Sequence, residues 1–232
     1  MLKKSMKVDH LPLNFEVFID VLRRARFPMR ILTYGSPLRA IEINDKLSDY
    51  PYAGVYFGTR IEDTPLPNPM DWKSVGWDGL PRMIIFPFSN PLVTTILHEF
   101  AHYVDDAFVQ KFKWLQQEAP EILTILFEDR VDVFLSLYDA MKEEFGHRHS
   151  MAIYDVEARH GLDKAQQTLW WYLIPPDVVY EFAPSAYAFV NVTEWFAESF
   201  VRYCLSRSYL RHRAPKTHDF LKFLMSSKLF AS

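Results

Sequence analysis

The stretch that decides how this chain reads is Asn90 to Phe108, NPLVTTILHEFAHYVDDAF. Asn90 is a good capping residue and Pro91 suits a first helical position, so the spacing predicts a helix from there to about Phe108. At about 100° per residue, Leu92, Val93, Ile96, Leu97, Phe100, Ala101, Tyr103, Val104 and Phe108 gather on one arc, the face for burial. Thr94, Thr95, His98, Glu99, His102, Asp105 and Asp106 gather on the opposite arc. His98 and His102 then project from the same face one turn apart, where two imidazoles can grip one cation.

His98-Glu99-Phe100-Ala101-His102 is the H-E-x-x-H pattern. Zinc suits it, because a borderline-soft ion accepts neutral imidazole nitrogens and leaves a position open for water. The ion would bring the pKa of that water down to about 7, and Glu99, between the two histidines, is placed to take its proton as general base. The bland alternative is a solvated face carrying two histidines and a glutamate. A catalytic zinc site also needs a third protein ligand. The helical stretch Asn191 to Leu205 offers Glu194, with Glu198 four residues on along the same face. Two glutamates at that spacing repel unless a cation or donor lies nearby. Glu194 would bind the ion and Glu198 would accept the outer N–H of a ligand histidine. Asn191 leaves a second possibility open, a capping box that uses up Glu194 at the helix start.

Around these helices the chain changes character once. Residues 12 to 26 read as an amphipathic helix that ends in Arg23, Arg24 and Arg26, a solvated basic run near a C-terminus. Short β-like runs follow at Arg30 to Tyr34, Arg39 to Ile43, Gly54 to Arg60 and Arg82 to Phe88. Between the last two, residues 63 to 81 carry Pro65, Pro67, Pro69, Trp72 and Trp77, an extended loop with large apolar anchors. After residue 90 the pattern is helical, with breaks expected at Pro120, Gly146, Gly161, Pro175, Pro176 and Pro184. Strands first and helices afterwards predict an α+β fold: a small N-terminal sheet, then a mainly helical part carrying the chemistry.

Composition narrows the function. The 232 residues are 49% hydrophobic and 16% aromatic, ample for a core, and the formal charge of -3 gives no basis for binding nucleic acid. A single cysteine, Cys204, rules out an intramolecular disulfide and reads as a small buried hydrophobe. No apolar run has the length of a membrane span. Lys3, Lys4 and Lys7 are followed by Asp9, His10, Asn14, Glu16 and Asp20 rather than by an apolar leader, so the expected location is cytoplasmic, or outside the cell without a recognisable leader. His147, Arg148 and His149 read as a polar surface turn, Asp105 as a partner able to orient a ligand histidine, and Asp106 as a carboxylate that meets solvent or a nearby cation.

Glu194-Trp195-Phe196-Ala197-Glu198-Ser199-Phe200 resembles the glutamate-helix motif of the anthrax toxin lethal factor catalytic domain and its relatives, among them the Pro-Pro endopeptidases. HEFAHYVDD, from His98 to Asp106, is similar to the zinc helix of that family through its valine and paired aspartates. Tyr187 falls where the family places a tyrosine whose hydroxyl assists at the substrate oxygen, and Ala214-Pro215-Lys216-Thr217 looks like a further family segment. The resemblance covers residues 90 to 106 and 185 to about 225; residues 107 to 184 look like inserted helices. It implies a single zinc metalloendopeptidase domain over residues 1 to 232, of gluzincin type in a zincin-like fold. One Zn2+ would be held by His98, His102 and Glu194, with Glu99 as base, Tyr187 at the oxyanion, and a peptide or protein as substrate. Two alternatives stand beside it. Intracellular regulatory peptidases of the ImmA/IrrE type also combine H-E-x-x-H with a glutamate helix and cleave repressors. A non-catalytic module could use the metal only to stabilise its fold.

Overall fold

The computed structural model describes residues 13–27, 38, 40–43, 53–58, 83–86, 91–106, 111–118, 120–121, 130–161 and 170–226. The strand expected at Arg30 to Tyr34, the Pro- and Trp-rich loop 63 to 81, the capping residue Asn90 and the helix end at Phe108 lie outside them. The chain divides into two compact units, residues 1–119 with 228–232 and residues 120–227.

In the first unit, helix α1 (Leu13–Arg24) buries Phe15, Phe18 and Leu22 while Glu16, Arg23 and Arg24 stay exposed. It ends with the Phe27 N–H on the Leu22 carbonyl and Arg26 at φ 59°, a left-handed C-terminal turn made here by a non-glycine residue. Strands β1 (Ala40–Ile43), β2 (Val55–Phe57) and β3 (Met83–Phe86) form a sheet of order β1-β3-β2, with β1 parallel and β2 antiparallel to β3. Ile41, Ile84 and Tyr56 are register partners across the sheet and all three are buried, so one sheet face belongs to the core. Helix α2 (Val93–Val104) packs on α1 and β2. Phe100 is the hub of that packing, its ring 5.2 Å from both Phe18 and Phe27. A further helix, α3, spans Lys111–Glu118.

Every regular element among the described residues of the second unit is helical. Helix α4 (Val131–His160) runs for 30 residues and buries Phe134, Tyr138, Met141, Glu144, Ala152 and Val156. A 3₁₀ turn (Trp170–Leu173), α5 (Pro176–Phe182) and a second 3₁₀ turn (Tyr187–Phe189) lead to α6 (Val192–Leu205), α7 (Arg207–Arg213) and α8 (Pro215–Ser226). Helix α8 packs along α4, with Phe220 against Phe134 and Tyr138 at centroid distances of 5.5 and 5.6 Å.

One buried polar network orders this unit. Helix α8 begins Ala214-Pro215, and alanine has no side-chain acceptor for the free N–H groups of a first turn. Glu144 of α4 supplies it. Its Oε2 accepts from the Thr217 N–H at 2.8 Å and from the Thr217 hydroxyl at 2.7 Å, and its Oε1 accepts from the Lys216 N–H at 3.3 Å. The Thr217 oxygen in turn accepts from the Trp195 indole N–H of α6 at 2.9 Å.

Two expectations are corrected. The α+β, zincin-like class gives way to a mainly helical architecture among the described residues. Helix dominates the described residues, and the strands amount to four, three and four residues. The expected break at Gly146 is absent: α4 passes straight through it, because its apolar positions stay in phase on both sides. Among the described residues, no helix is long and apolar enough to cross a membrane.

Removing the carboxylate that caps α8 leaves buried N–H and O–H groups of Thr217 without their acceptor. Glu144→Ala is expected to lower stability by about 2–4 kcal/mol in urea unfolding, with Glu144→Gln recovering part of the loss.

Candidate metal centre

Helix α2 meets the expected pattern on its apolar side, where Ile96, Leu97, Phe100, Ala101, Tyr103 and Val104 are fully buried. Its start differs. The first helical residue is Val93, Leu92 occupies the cap position without a side-chain cap bond, and Leu92 is 68% exposed rather than part of the buried face. The Pro91 carbonyl accepts from the Asn14 side-chain amide at 3.1 Å, which ties it to α1 rather than to the helix ladder.

The polar side is not a solvated face. Glu99 and Asp105 are only 7% and 8% exposed, and Asp106, expected to meet solvent or a nearby cation, accepts a hydrogen bond from the Tyr56 hydroxyl at 2.7 Å. His98 and His102 are half-buried, their rings edge to face at 4.7 Å and 85°, with the two Nε2 atoms 3.1 Å apart. Two zinc–nitrogen bonds of about 2.0–2.1 Å at a tetrahedral angle would hold their nitrogens about 3.3 Å apart, so a shared ion would need little movement of this pair.

Glu194 sits in the first turn of α6. Asn191 caps that helix from an extended backbone, its side-chain oxygen accepting from the Glu194 N–H at 2.9 Å. The next residue, Trp195, is fully buried and anchored to Thr217. The Asn191 bond engages the main chain of Glu194. Among the described residues, His98, His102 and Glu194 are a set that could hold a metal ion, each offering one ligand atom, all within 4.8 Å of one another. The donor chemistry fits, two imidazoles and a carboxylate being a usual set of three protein ligands for a catalytic zinc. No protein-family model, curated protein or solved structure matches the chain.

The other expected site residues have separate places. Tyr187 opens the second 3₁₀ turn, half-buried, its ring edge-on to Trp171 at 5.0 Å. Glu198 lies one turn beyond Glu194, half-buried. The polar turn expected at His147 to His149 is corrected: these residues lie inside α4. His149 Nδ1 lies 2.7 Å from the Phe189 carbonyl, so that residue helps hold the turn carrying Tyr187. Sequence reading also missed Glu144. Its signal was the phase of Phe134, Tyr138 and Met141, which places Glu144, rather than Glu143, on the inward face.

Cys204, near the end of α6, is half-buried as a residue, but burial pushes its thiol up to about 12, the nearby Arg207 only partly opposing this. The neighbouring Tyr203 hydroxyl is raised too, chiefly by burial. An unfolded chain releases the thiol proton near 9.0 and the folded one keeps it to about 12, so in that window the folded state binds more protons and stability falls as pH rises. Wild-type protein should therefore lose more unfolding free energy between about pH 8 and about pH 10.5 than Cys204→Ala does, as urea titration at the two pH values would measure.

Proposed function

We propose that this chain is a zinc-dependent metalloendopeptidase of the lethal factor type. The observation that carries the proposal is the convergence of His98, His102 and Glu194, with ligand atoms within 4.8 Å of one another, beside an enclosed Glu99. A non-catalytic metal site would have no use for a buried carboxylate lying between its two histidines in the sequence. The roles follow from the chemistry of each side chain. His98 and His102 offer their Nε2 atoms to the ion, which leaves Nδ1 as the protonated position on each ring. Glu198 and Asp105 are the carboxylates proposed to accept those outer protons and fix the tautomers.

Zinc, when bound, polarises the scissile carbonyl and makes an attacking water acidic enough to react at neutral pH. Glu99 takes the proton of that water as its oxygen joins the carbonyl carbon, then gives it to the amide nitrogen as the carbon–nitrogen bond breaks. Atoms and charge balance, and Glu99 ends as the carboxylate it began. The Tyr187 hydroxyl, neutral at working pH, donates a hydrogen bond to the oxygen that gains charge.

Metal analysis combined with a peptide-library digest tests this reading. Wild-type protein is expected to carry one zinc and to cleave, and chelation to stop cleavage. Glu99→Gln should keep the zinc and lose about 10²- to 10⁴-fold in rate, whereas His102→Ala should lose the metal itself. A Glu99→Gln protein that cleaves at the wild-type rate would remove Glu99 from the mechanism.

A further inference from the structure

Strand β2 is fastened both to helix α2 and to the chain just past its end. The Tyr56 hydroxyl donates to Asp106 Oδ2 at 2.7 Å, and the Tyr56 ring stands edge-on to Tyr103 at 6.2 Å. Two residues upstream, at the head of the strand, Gly54 meets Glu99. A Cβ placed on Gly54 would come within 2.8 Å of Glu99 Cγ, and within 2.8 and 2.9 Å of Phe86 Cε1 and Cδ1. Carbon atoms of non-bonded groups sit at about 3.5–4.0 Å, so such contacts are overlaps that must move something. Neither neighbour has room to move: Phe86 is 1% exposed and Glu99 7%. The atoms approached are the stem of one side chain and the body of a ring, not flexible tips. Among the described glycines, the left-handed backbone belongs to Gly161, so residue 54 is a glycine for space rather than for backbone conformation.

The geometry points to Gly54 as a positioning residue for Glu99. The bare backbone at the head of β2 closes on the Glu99 methylene stem from one side while Phe86 lines the same spot, which holds the carboxyl group in a single rotamer. The bond from Tyr56 to Asp106 fixes where along the helix the strand sits. A general base must be held within about 0.5 Å of its productive place, because the proton it moves crosses one hydrogen bond. The inference depends on the reading of Glu99 as that base, but the contact itself is tested separately.

The test uses full-length Gly54→Ala, alone and combined with Phe86→Leu, which removes the ring from the contact. Gly54→Ala is expected to keep one zinc and a KM within about twofold of wild type while kcat falls about tenfold or more. The double variant is expected to regain thermal stability without regaining kcat, because the overlap with Glu99 remains. In metal-free protein labelled with 13C at the glutamate carboxyls, the Glu99 resonance, identified by its loss in Glu99→Gln, is expected to move in both variants. If Gly54→Ala does not accumulate as folded protein, the double variant is read in its place. An unmoved resonance with unchanged kcat overturns the inference, as does a double variant with wild-type kcat, which would assign the effect to Phe86. If wild-type protein cleaves no peptide, the peptidase reading fails, and the Glu99 resonance still decides whether Gly54 holds that side chain.

Discussion

A carboxylate enclosed by apolar side chains has to be given donors or a cation, since the charge it carries in water is otherwise too costly to keep. In the second unit that requirement and another cancel. Glu144 needs hydrogen-bond donors, and the first turn of α8, opened by Ala214 and Pro215, needs an acceptor. Each satisfies the other across the α4–α8 contact. The Thr217 hydroxyl extends the arrangement to the Trp195 indole, so three helices are held in mutual position by one polar chain rather than by apolar packing alone. The residue before Trp195 is Glu194, so the backbone that carries this candidate ligand is tied into the same polar chain.

The first unit meets the same problem with Glu99 of α2 and Asp105 just past its end, both almost wholly enclosed. A helix can bury one arc at no cost, but here the opposite arc is also largely covered, by β2 and its Tyr56 hydroxyl on Asp106. A surface helix would not be built this way. Desolvating acidic groups beside two imidazoles is unfavourable by itself and becomes tolerable when a positive ion shares the space.

What could be read from the amino-acid order was the periodic part. The 3.6-residue repeat fixed which side of α2 is buried and put His98 and His102 together, and the same repeat carried Glu194 and its aromatic neighbours on α6. Non-local effects escaped it. Proline at 91 looks like a helix start, yet the Asn14 amide holds its carbonyl and the helix begins later. The β-like runs at residues 39–43, 54–60 and 82–88 are present as strands, but as short ones, and the long helices outweigh them. Gly54 carries no local signal, because the reason for its missing side chain is a glutamate 45 positions away in the chain (99 minus 54). His149 looked like part of a polar turn because Gly146 suggested one, and only the position of Phe189 shows where its ring goes.

Gly146 nonetheless leaves a mark on the helix it fails to break. A glycine in a helix interior costs about 1 kcal/mol relative to alanine, and here no neighbour lies within 4 Å of where its Cβ would be, so packing does not require it. Four residues on, the Ser150 hydroxyl donates back to the Gly146 carbonyl at 2.9 Å, a bond that competes with the main-chain ladder and tends to bend it. The midpoint of the 30-residue rod thus joins a poor helix former to a competing hydroxyl, set between the Glu144 anchorage and the imidazole that steadies the Phe189 carbonyl. Breathing of the native state should begin at that seam, so that the two halves of the helix can loosen separately while each keeps its own attachments.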